Sequence, residues 1–325
     1  MCFCVRKNKM KTWRNLVKLY NEMKFSELEK YFGDIYHYTS PEGLKGILDS
    51  ESMFATDMLF LNDKSENMYV IDIVKNNLDM LCNNNLELRK DIEREIKLIK
   101  AGRWEEKIHN YTISFCMEKD VLGMWNYYTK GNSIQGYALE INAGELAKEL
   151  RIEILDTEKR PVGRNQDKHL VLFEGKVIYD ETKQLQIVKY IFEKFIDVCA
   201  TEEEFENNRG ILAHLIMEKV IGYGKFFKAP AFKSEKEYRF IYSTYLMENE
   251  DFSKMGIPYK ELFRVKDGCF IPYQKCKFNL AAIKTIMFSP SLYNEVTCAG
   301  LRRMLDNKEE SKHIEIEESG IPLRY

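Results

Sequence analysis

Short strand-like segments lie near both ends of this chain, and long helical segments lie between them. Runs rich in β-branched and aromatic residues predict strands at 35–39, 111–116, 134–141, 168–180, 237–244, 269–273, 283–288 and 313–316. Apolar residues at helical spacing predict helices at 42–49, 65–100, 122–128, 182–200, 202–220 and 291–305. Because strands and helices do not alternate regularly, we predict an α+β fold with helical insertions.

The charge balance and the lengths of the apolar runs bear on nucleic-acid binding and on membrane insertion. The 49 basic and 51 acidic residues give a net charge of -2, so any nucleic-acid binding needs a local positive patch. Residues 1–33 are predicted to form a basic helical segment, which is either a packed cap or a docking surface for an acidic partner or nucleic acid. The apolar runs are too short for a membrane span, and no signal-peptide core follows the basic start, so we expect a cytoplasmic location.

The predicted organisation is one α+β domain over 34–325, interrupted by helical insertions at about 65–100 and 182–220. The eight cysteines are scattered without C-x-x-C spacing, and the five histidines are not clustered. We therefore predict no metal site.

His37 lies in a strand-like segment directly before a predicted helix. An imidazole donates and accepts hydrogen bonds near neutral pH, and Thr39 and Ser40 add hydroxyl groups. Ser40 and Pro41 are typical of a helix start, whose free N–H groups favour anions. The segment predicts either a ligand site or a buried histidine bonded to a backbone carbonyl, and the residues leave both open.

Two further segments are candidates for the rim and the wall of a ligand-binding cleft beside His37. Asn62, Asp63 and Glu66 form either a capping box or a polar rim that orients a ligand hydroxyl. The aromatic segment at 124–128, which includes Trp125, is typical either of a core helix or of a surface that stacks on a planar ring.

The segment 235–240 carries a charge pattern of its own. On a strand, Glu235, Glu237 and Arg239 share one face, and Tyr238 and Phe240 share the other. If the aromatic residues face the core, the charged groups line the opposite face. Carboxylates close to a guanidinium can stabilise a developing cation, or they form an exposed charge ladder.

Four strings taken in order resemble one bacterial family, which is catalogued as domain of unknown function twenty-nine seventy-one. They are YHYTSPEGLKGIL (36–48), FLNDKSE (60–66), SFCMEKDVLGMWNYYTKGNSIQGYALEI (114–141) and KSEKEYRFIY (233–242). The resemblance covers about residues 34–324, and the family name carries no activity.

A remoter resemblance is more informative about function. His37-x-Thr39-Ser40, followed by Gly43-Leu44-x-x-Ile47-Leu48, is similar to the first motif of ADP-ribosyltransferases. This resemblance implies a split mixed or antiparallel sheet and NAD as the substrate. It implies that His37 holds the nicotinamide-side ribose and that Glu237 supports an oxocarbenium-like transition state.

The same resemblance implies a tyrosine that stacks on nicotinamide, for which Tyr69 is the candidate and Trp125 or Tyr137 compete. From the residue patterns above, and not from this resemblance, we predict that the NAD site is further lined by Tyr38, Thr39, Ser40, Asn62, Asp63, Glu66 and Arg239.

The leading functional prediction is an ADP-ribosyltransferase-like enzyme that uses NAD to modify a protein or a nucleic acid, as a bacterial toxin or phage-defence effector would. The first alternative is a non-catalytic module of the same fold that senses a nucleotide or docks a partner protein. The second alternative is an NAD glycohydrolase that uses the same His37 and Glu237.

Overall fold

The structure of the protein is a computed structural model, and the residues it describes form two compact units. The described ranges are 2–23, 28–61, 66–102, 108–128, 135–152, 170–245, 261–266, 268–290 and 294–322. The helical unit comprises Met1–Glu29, Asn62–Ile108 and Ile178–Lys233, and the sheet unit comprises Lys30–Leu61, His109–Val177 and Ser234–Tyr325. No helix in the described ranges is both long and apolar enough to cross a membrane.

The helices occur mainly where the apolar periodicity predicts them. In chain order they are α1 (Cys2–Glu22), α2 (Pro41–Ser50), α3 (Glu66–Asn76), α4 (Leu78–Leu81), α5 (Leu86–Lys100), α6 (Leu122–Tyr128), α7 (Ala143–Glu149), α8 (Glu181–Ile196), α9 (Glu202–Gly224) and α10 (Asn294–Asp306). The predicted helical stretch 65–100 is broken as expected, because Asn83 and Asn84 adopt positive φ angles of 51° and 57° between α4 and α5.

The helical unit contains α1, α3, α4, α5, α8 and α9. The N-terminal helix α1 thus shares one unit with both predicted helical insertions. It packs on α9, where the Tyr20 hydroxyl donates to Glu218 Oε1 at 2.6 Å and Lys219 Nζ donates to the Met23 carbonyl oxygen at 2.9 Å. Along the described part of α1, Leu16 is fully buried whereas Trp13 is 46% exposed. The side of α1 that carries Leu16 is therefore packed, as expected for a helix that caps the fold.

All the strands of the described residues lie in one mixed sheet, which dominates the sheet unit. They are β1 (Asp34–Thr39), β2 (Ser52–Asp57), β3 (Ile108–Cys116), β4 (Tyr137–Asn142), β5 (Arg151–Ile152), β6 (Leu170–Lys176), β7 (Glu237–Tyr245), β8 (Leu262–Lys266), β9 (Cys269–Lys277), β10 (Ile283–Phe288) and β11 (Glu315–Glu318). Sequence patterns miss β2, β5 and β8. Strand β2 is buried along nearly its whole length, so it lacks the alternation that identifies a half-exposed strand.

The strand order is β11-β10-β4-β1-β3-β2-β9-β5, with β7 between β3 and β6 and with β8 on β9. Strands β10 and β11 are parallel, whereas β1–β4, β4–β10, β2–β9 and β6–β7 are antiparallel. The predicted mixed sheet with helices is therefore confirmed. Strand β3 is central, because β1 pairs with it at Cys116 and β2 pairs with it at Thr112.

Each side of the sheet in the sheet unit carries its own apolar cluster. The larger cluster, on what we call the core face, includes Ile35, Phe115, Leu139, Tyr238 and Phe240. Helix α6 covers the other side with a smaller cluster formed by Tyr38, Cys116, Met124, Trp125, Ala138 and Met287. Alternation along β7 and β3 places Glu237, Arg239 and Thr112 on this second side, which we call the Glu237 face.

Candidate functional site

A buried ion pair lies at the start of β7 on the Glu237 face. Arg239 Nε donates to Glu237 Oε1 and Arg239 Nη2 donates to Glu237 Oε2, both at 2.7 Å. Only 1% of Arg239 and 6% of Glu237 is exposed. The two-point contact fixes the orientation of the carboxylate in a region of low dielectric constant. The predicted alternation is confirmed from Glu237 to Phe240, because Tyr238 and Phe240 pack in the core. The prediction is wrong for Glu235, which ends a 3-10 helix before β7 and does not lie on the strand.

Tyr128, at the end of α6, adds a phenol to this pair. Its hydroxyl donates to Glu235 Oε1 at 3.4 Å. Burial is the main cause that raises the Tyr128 pKa, and the nearby carboxylates of Glu235 and Glu237 raise it further, while Arg239 lowers it. The phenol therefore stays protonated at neutral pH, and the hydrogen bond that it donates goes to Glu235. Sequence reasoning placed Tyr128 only in an aromatic segment, because nothing local links α6 to β7.

Polar groups continue along the Glu237 face toward β2. Thr56 pairs with Thr112, and Arg264 Nη2 of β8 donates to Thr56 Oγ1 at 2.9 Å. Burial lowers the Arg264 pKa. Within the described residues, Arg264 Nε and Thr112 Oγ1 are buried without a hydrogen-bond partner. Buried polar groups are nearly always hydrogen-bonded, so these two atoms are unusual among the described residues.

His37 lies on β1 and contacts β3 at Ser114. This residue lies between Cys116, where β1 pairs with β3, and Thr112, where β2 pairs with β3. Its Nδ1 donates to the Ser114 carbonyl oxygen at 3.2 Å, and its ring centroid lies 5.5 Å from that of Phe115. Burial is the main cause that lowers the His37 pKa, and the charge of Arg264 lowers it further. The imidazole is therefore neutral at pH 7, and Nε2 is its acceptor atom.

The structure does not bring His37 and Glu237 together through any contact among the described residues. His37 pairs with Leu139 of β4, and its ring contacts the ring of Phe115. Phe115 in turn packs against Phe240 of the core face, with the ring centroids 5.7 Å apart. Glu237 lies on the other face of β7. The expected meeting of the two side chains across one hollow therefore has no direct contact to support it.

Three other residues of the first motif lie at the end of β1 and the start of α2. Ser40 Oγ accepts a hydrogen bond from the Gly43 N–H at 3.2 Å and caps α2, as the sequence predicts. The Tyr38 hydroxyl accepts from the Val121 N–H at 3.0 Å. Thr39 ends β1 at the edge of the same segment.

Trp125 is packed rather than open to a ligand. It is 3% exposed, lies edge-on to Tyr38 with centroids 4.7 Å apart, and donates from Nε1 to Asp120 Oδ1 at 2.7 Å. No open ring face remains for stacking on nicotinamide, so the structure places Trp125 in the core.

The structure describes only part of the segment predicted to form a capping box or a polar rim. Asn62 and Asp63 lie outside the described residues, and so does the side chain of Glu66, which begins α3. Tyr69 belongs to the helical unit, where its hydroxyl donates to Gln184 Oε1 at 3.1 Å. Tyr137 pairs with Thr39 in the sheet unit and is partly buried.

A family described as "Protein of unknown function (DUF2971)" matches residues 124–240. The matched segment includes both Tyr128 of α6 and the Glu237–Arg239 pair of β7. No curated protein and no solved structure matches the chain.

Proposed function

We propose that this chain is an ADP-ribosyltransferase-like enzyme that consumes NAD and that Glu237 is its central catalytic carboxylate. The observation that carries the proposal is the buried Glu237 carboxylate, held at two points by Arg239. Loss of nicotinamide leaves positive charge on the ribose. A fixed carboxylate in a poorly solvated site stabilises such charge without reorganising during the reaction.

Two further groups of the Glu237 face fit another part of a dinucleotide. Arg264 Nε and the Thr112 hydroxyl are buried donors that suit the phosphate oxygens of NAD. Arg239 acts as a positioning residue, since it orients Glu237.

The decisive experiment incubates the protein with NAD labelled in the adenosine part, together with a cell extract as a source of acceptors. Label on protein or nucleic acid indicates transfer, whereas free ADP-ribose indicates glycohydrolase activity. Glu237→Gln keeps the side-chain volume and is expected to reduce either activity at least about 100-fold, since a lost electrostatic group of this kind costs about 2.7–4 kcal/mol of barrier.

Glu140→Gln is the matched control, because Glu140 lies on β4 and pairs with Lys119 rather than with Arg239. We expect it to leave activity unchanged. Growth arrest on expression, relieved by Glu237→Gln and not by Glu140→Gln, would support a role as a toxin or phage-defence effector. Equal activity in Glu237→Gln and the native protein would refute the assigned carboxylate.

The second candidate function is a nucleotide-sensing module without catalysis. It is favoured by the Arg239 guanidinium, which already compensates the charge of Glu237. Calorimetric titration with NAD separates the two functions. Binding without consumption supports the sensing module, whereas the absence of both refutes NAD as the ligand.

A further inference from the structure

Three potential metal ligands converge at one end of the sheet unit, away from any sequence motif. Asp57 ends β2, His109 lies near the start of β3, and Glu261 directly precedes β8. One ligand atom from each lies within 4.8 Å of the other two. Asp57 pairs with Tyr111 across β2 and β3, and His109 lies two residues before Tyr111, so His109 and Asp57 share a face.

The spacing of the two best-placed atoms suits a shared ion. His109 Nδ1 lies 3.4 Å from Asp57 Oδ2. The two groups form a hydrogen-bonded pair, whose length lies above the usual value of about 2.9–3.0 Å for N–H···O bonds. Two ligands of a tetrahedral ion with bonds of about 2.0–2.2 Å lie roughly 3.4 Å apart. The observed distance is thus one at which the two atoms bond directly to each other or share an ion.

Each carboxylate is anchored through one oxygen, which leaves its other oxygen for the ion. Asp57 Oδ1 accepts from the Leu59 N–H at 2.9 Å, and Glu261 Oε1 accepts from the Tyr111 hydroxyl at 2.8 Å. Asp57 is 2% exposed, so its charge is poorly compensated by solvent. Outer partners of this type orient metal ligands in proteins.

We propose that Asp57, His109 and Glu261 bind one divalent transition-metal ion of the zinc type. One imidazole nitrogen and two carboxylate oxygens form a donor set that such ions accept, whereas Ca²⁺ and Mg²⁺ prefer oxygen ligands alone. Three protein ligands leave at least one coordination position for water or a substrate oxygen. The site is independent of Glu237 and of NAD.

The experiment titrates the full chain, first treated with a chelator, with Zn²⁺ in a calorimeter and with Co²⁺ in an absorption spectrometer. We expect one ion per chain and a visible Co²⁺ band. His109→Ala is expected to weaken Zn²⁺ binding at least about 100-fold, because loss of an outer partner alone costs 10–100-fold.

Asp57→Asn and Glu261→Gln keep the acceptors for Leu59 and Tyr111 while removing one charge each, so they test the site even if His109→Ala fails to fold. Both are expected to weaken binding and to abolish or shift the Co²⁺ band. His214→Ala is the control, since His214 lies beside Glu95 outside this cluster. The absence of Zn²⁺ binding by the native chain, or equal binding by the three ligand variants and the control, would overturn the proposal.

Discussion

Arg239 and Glu237, two residues apart on one strand, form a two-point ion pair that is almost completely removed from solvent. Loss of one partner leaves an uncompensated buried charge. We expect Arg239→Met to reduce the free energy of unfolding by about 3–5 kcal/mol, as measured by urea denaturation. Combination with Glu237→Gln is expected to restore part of that loss, because both charges are then absent. Additive losses in the double variant would show that the pair does not act as a unit.

Gly224 ends α9 where the helix meets Val70 of α3. A Cβ atom at this position would lie 2.5 Å from Val70 Cγ1 and 2.7 Å from its Cβ. Gly224→Ala is therefore expected to destabilise the protein by about 1–3 kcal/mol through overpacking, measured by thermal or urea unfolding.

Gly46→Ala is the matched control for that substitution. Gly46 lies within α2, and its added Cβ would have nothing within 4 Å. Because alanine favours the helix more than glycine, Gly46→Ala should stabilise the protein by about 0.5–1 kcal/mol. Equal effects of the two substitutions would contradict the packing assigned to Gly224.

The His214–Glu95 pair predicts a pH-dependent contribution to stability. The hydrogen bond with Glu95 is the main cause that raises the His214 pKa above its usual 6.5, although burial opposes it. The protonated imidazole is thus favoured in the folded state. Its contribution is complete below about pH 6.5 and is lost as the pH rises through the folded-state pKa.

We therefore expect His214→Gln to lower the free energy of unfolding more at about pH 5.5 than at about pH 8.5. Urea denaturation of both proteins at the two pH values measures the difference. In a Glu95→Gln background the pH dependence of the substitution should shrink to the smaller effect of the Glu218 carboxylate, which also raises the His214 pKa. A His214→Gln effect that is the same at both pH values would refute the charged pair.

Asp120 joins the segment after β3 to the chain after β11. Its Oδ1 accepts from Trp125 Nε1 and from Ser319 Oγ, and its Oδ2 accepts from the Gly320 N–H. Its φ of 56° is also unfavourable for most residues. Asp120→Ala should cost about 3 kcal/mol of stability, from unpaired donors and from backbone strain.

Asp120→Asn should cost clearly less, because asparagine tolerates the left-handed conformation and keeps one acceptor oxygen. Tryptophan fluorescence during urea unfolding measures both variants, and Trp125 is one of the three tryptophans that contribute to the signal. Equal losses for the two variants would indicate that the hydrogen bonds and the backbone conformation at Asp120 contribute little.

Local patterns in the sequence determined the features that depend on neighbouring residues. Ser40 and Pro41 specify the start of α2, because capping needs only groups within one helical turn. The alternation of segment 235–240 placed Glu237 and Arg239 opposite the aromatic core, because side chains on a strand alternate whatever its partners are. The presence of both strands and helices followed from the periodicity of the apolar residues.

Tertiary structure alone decided which distant residues meet. Asp57, His109 and Glu261 converge because β2 pairs with both β3 and β9, and β9 pairs with β8. The placement of His37 and Glu237 on opposite faces of the sheet likewise depends on register, since a shift of one residue would exchange the faces. Pairing between distant strands is set by the packing of the whole core, and no local pattern contains that information.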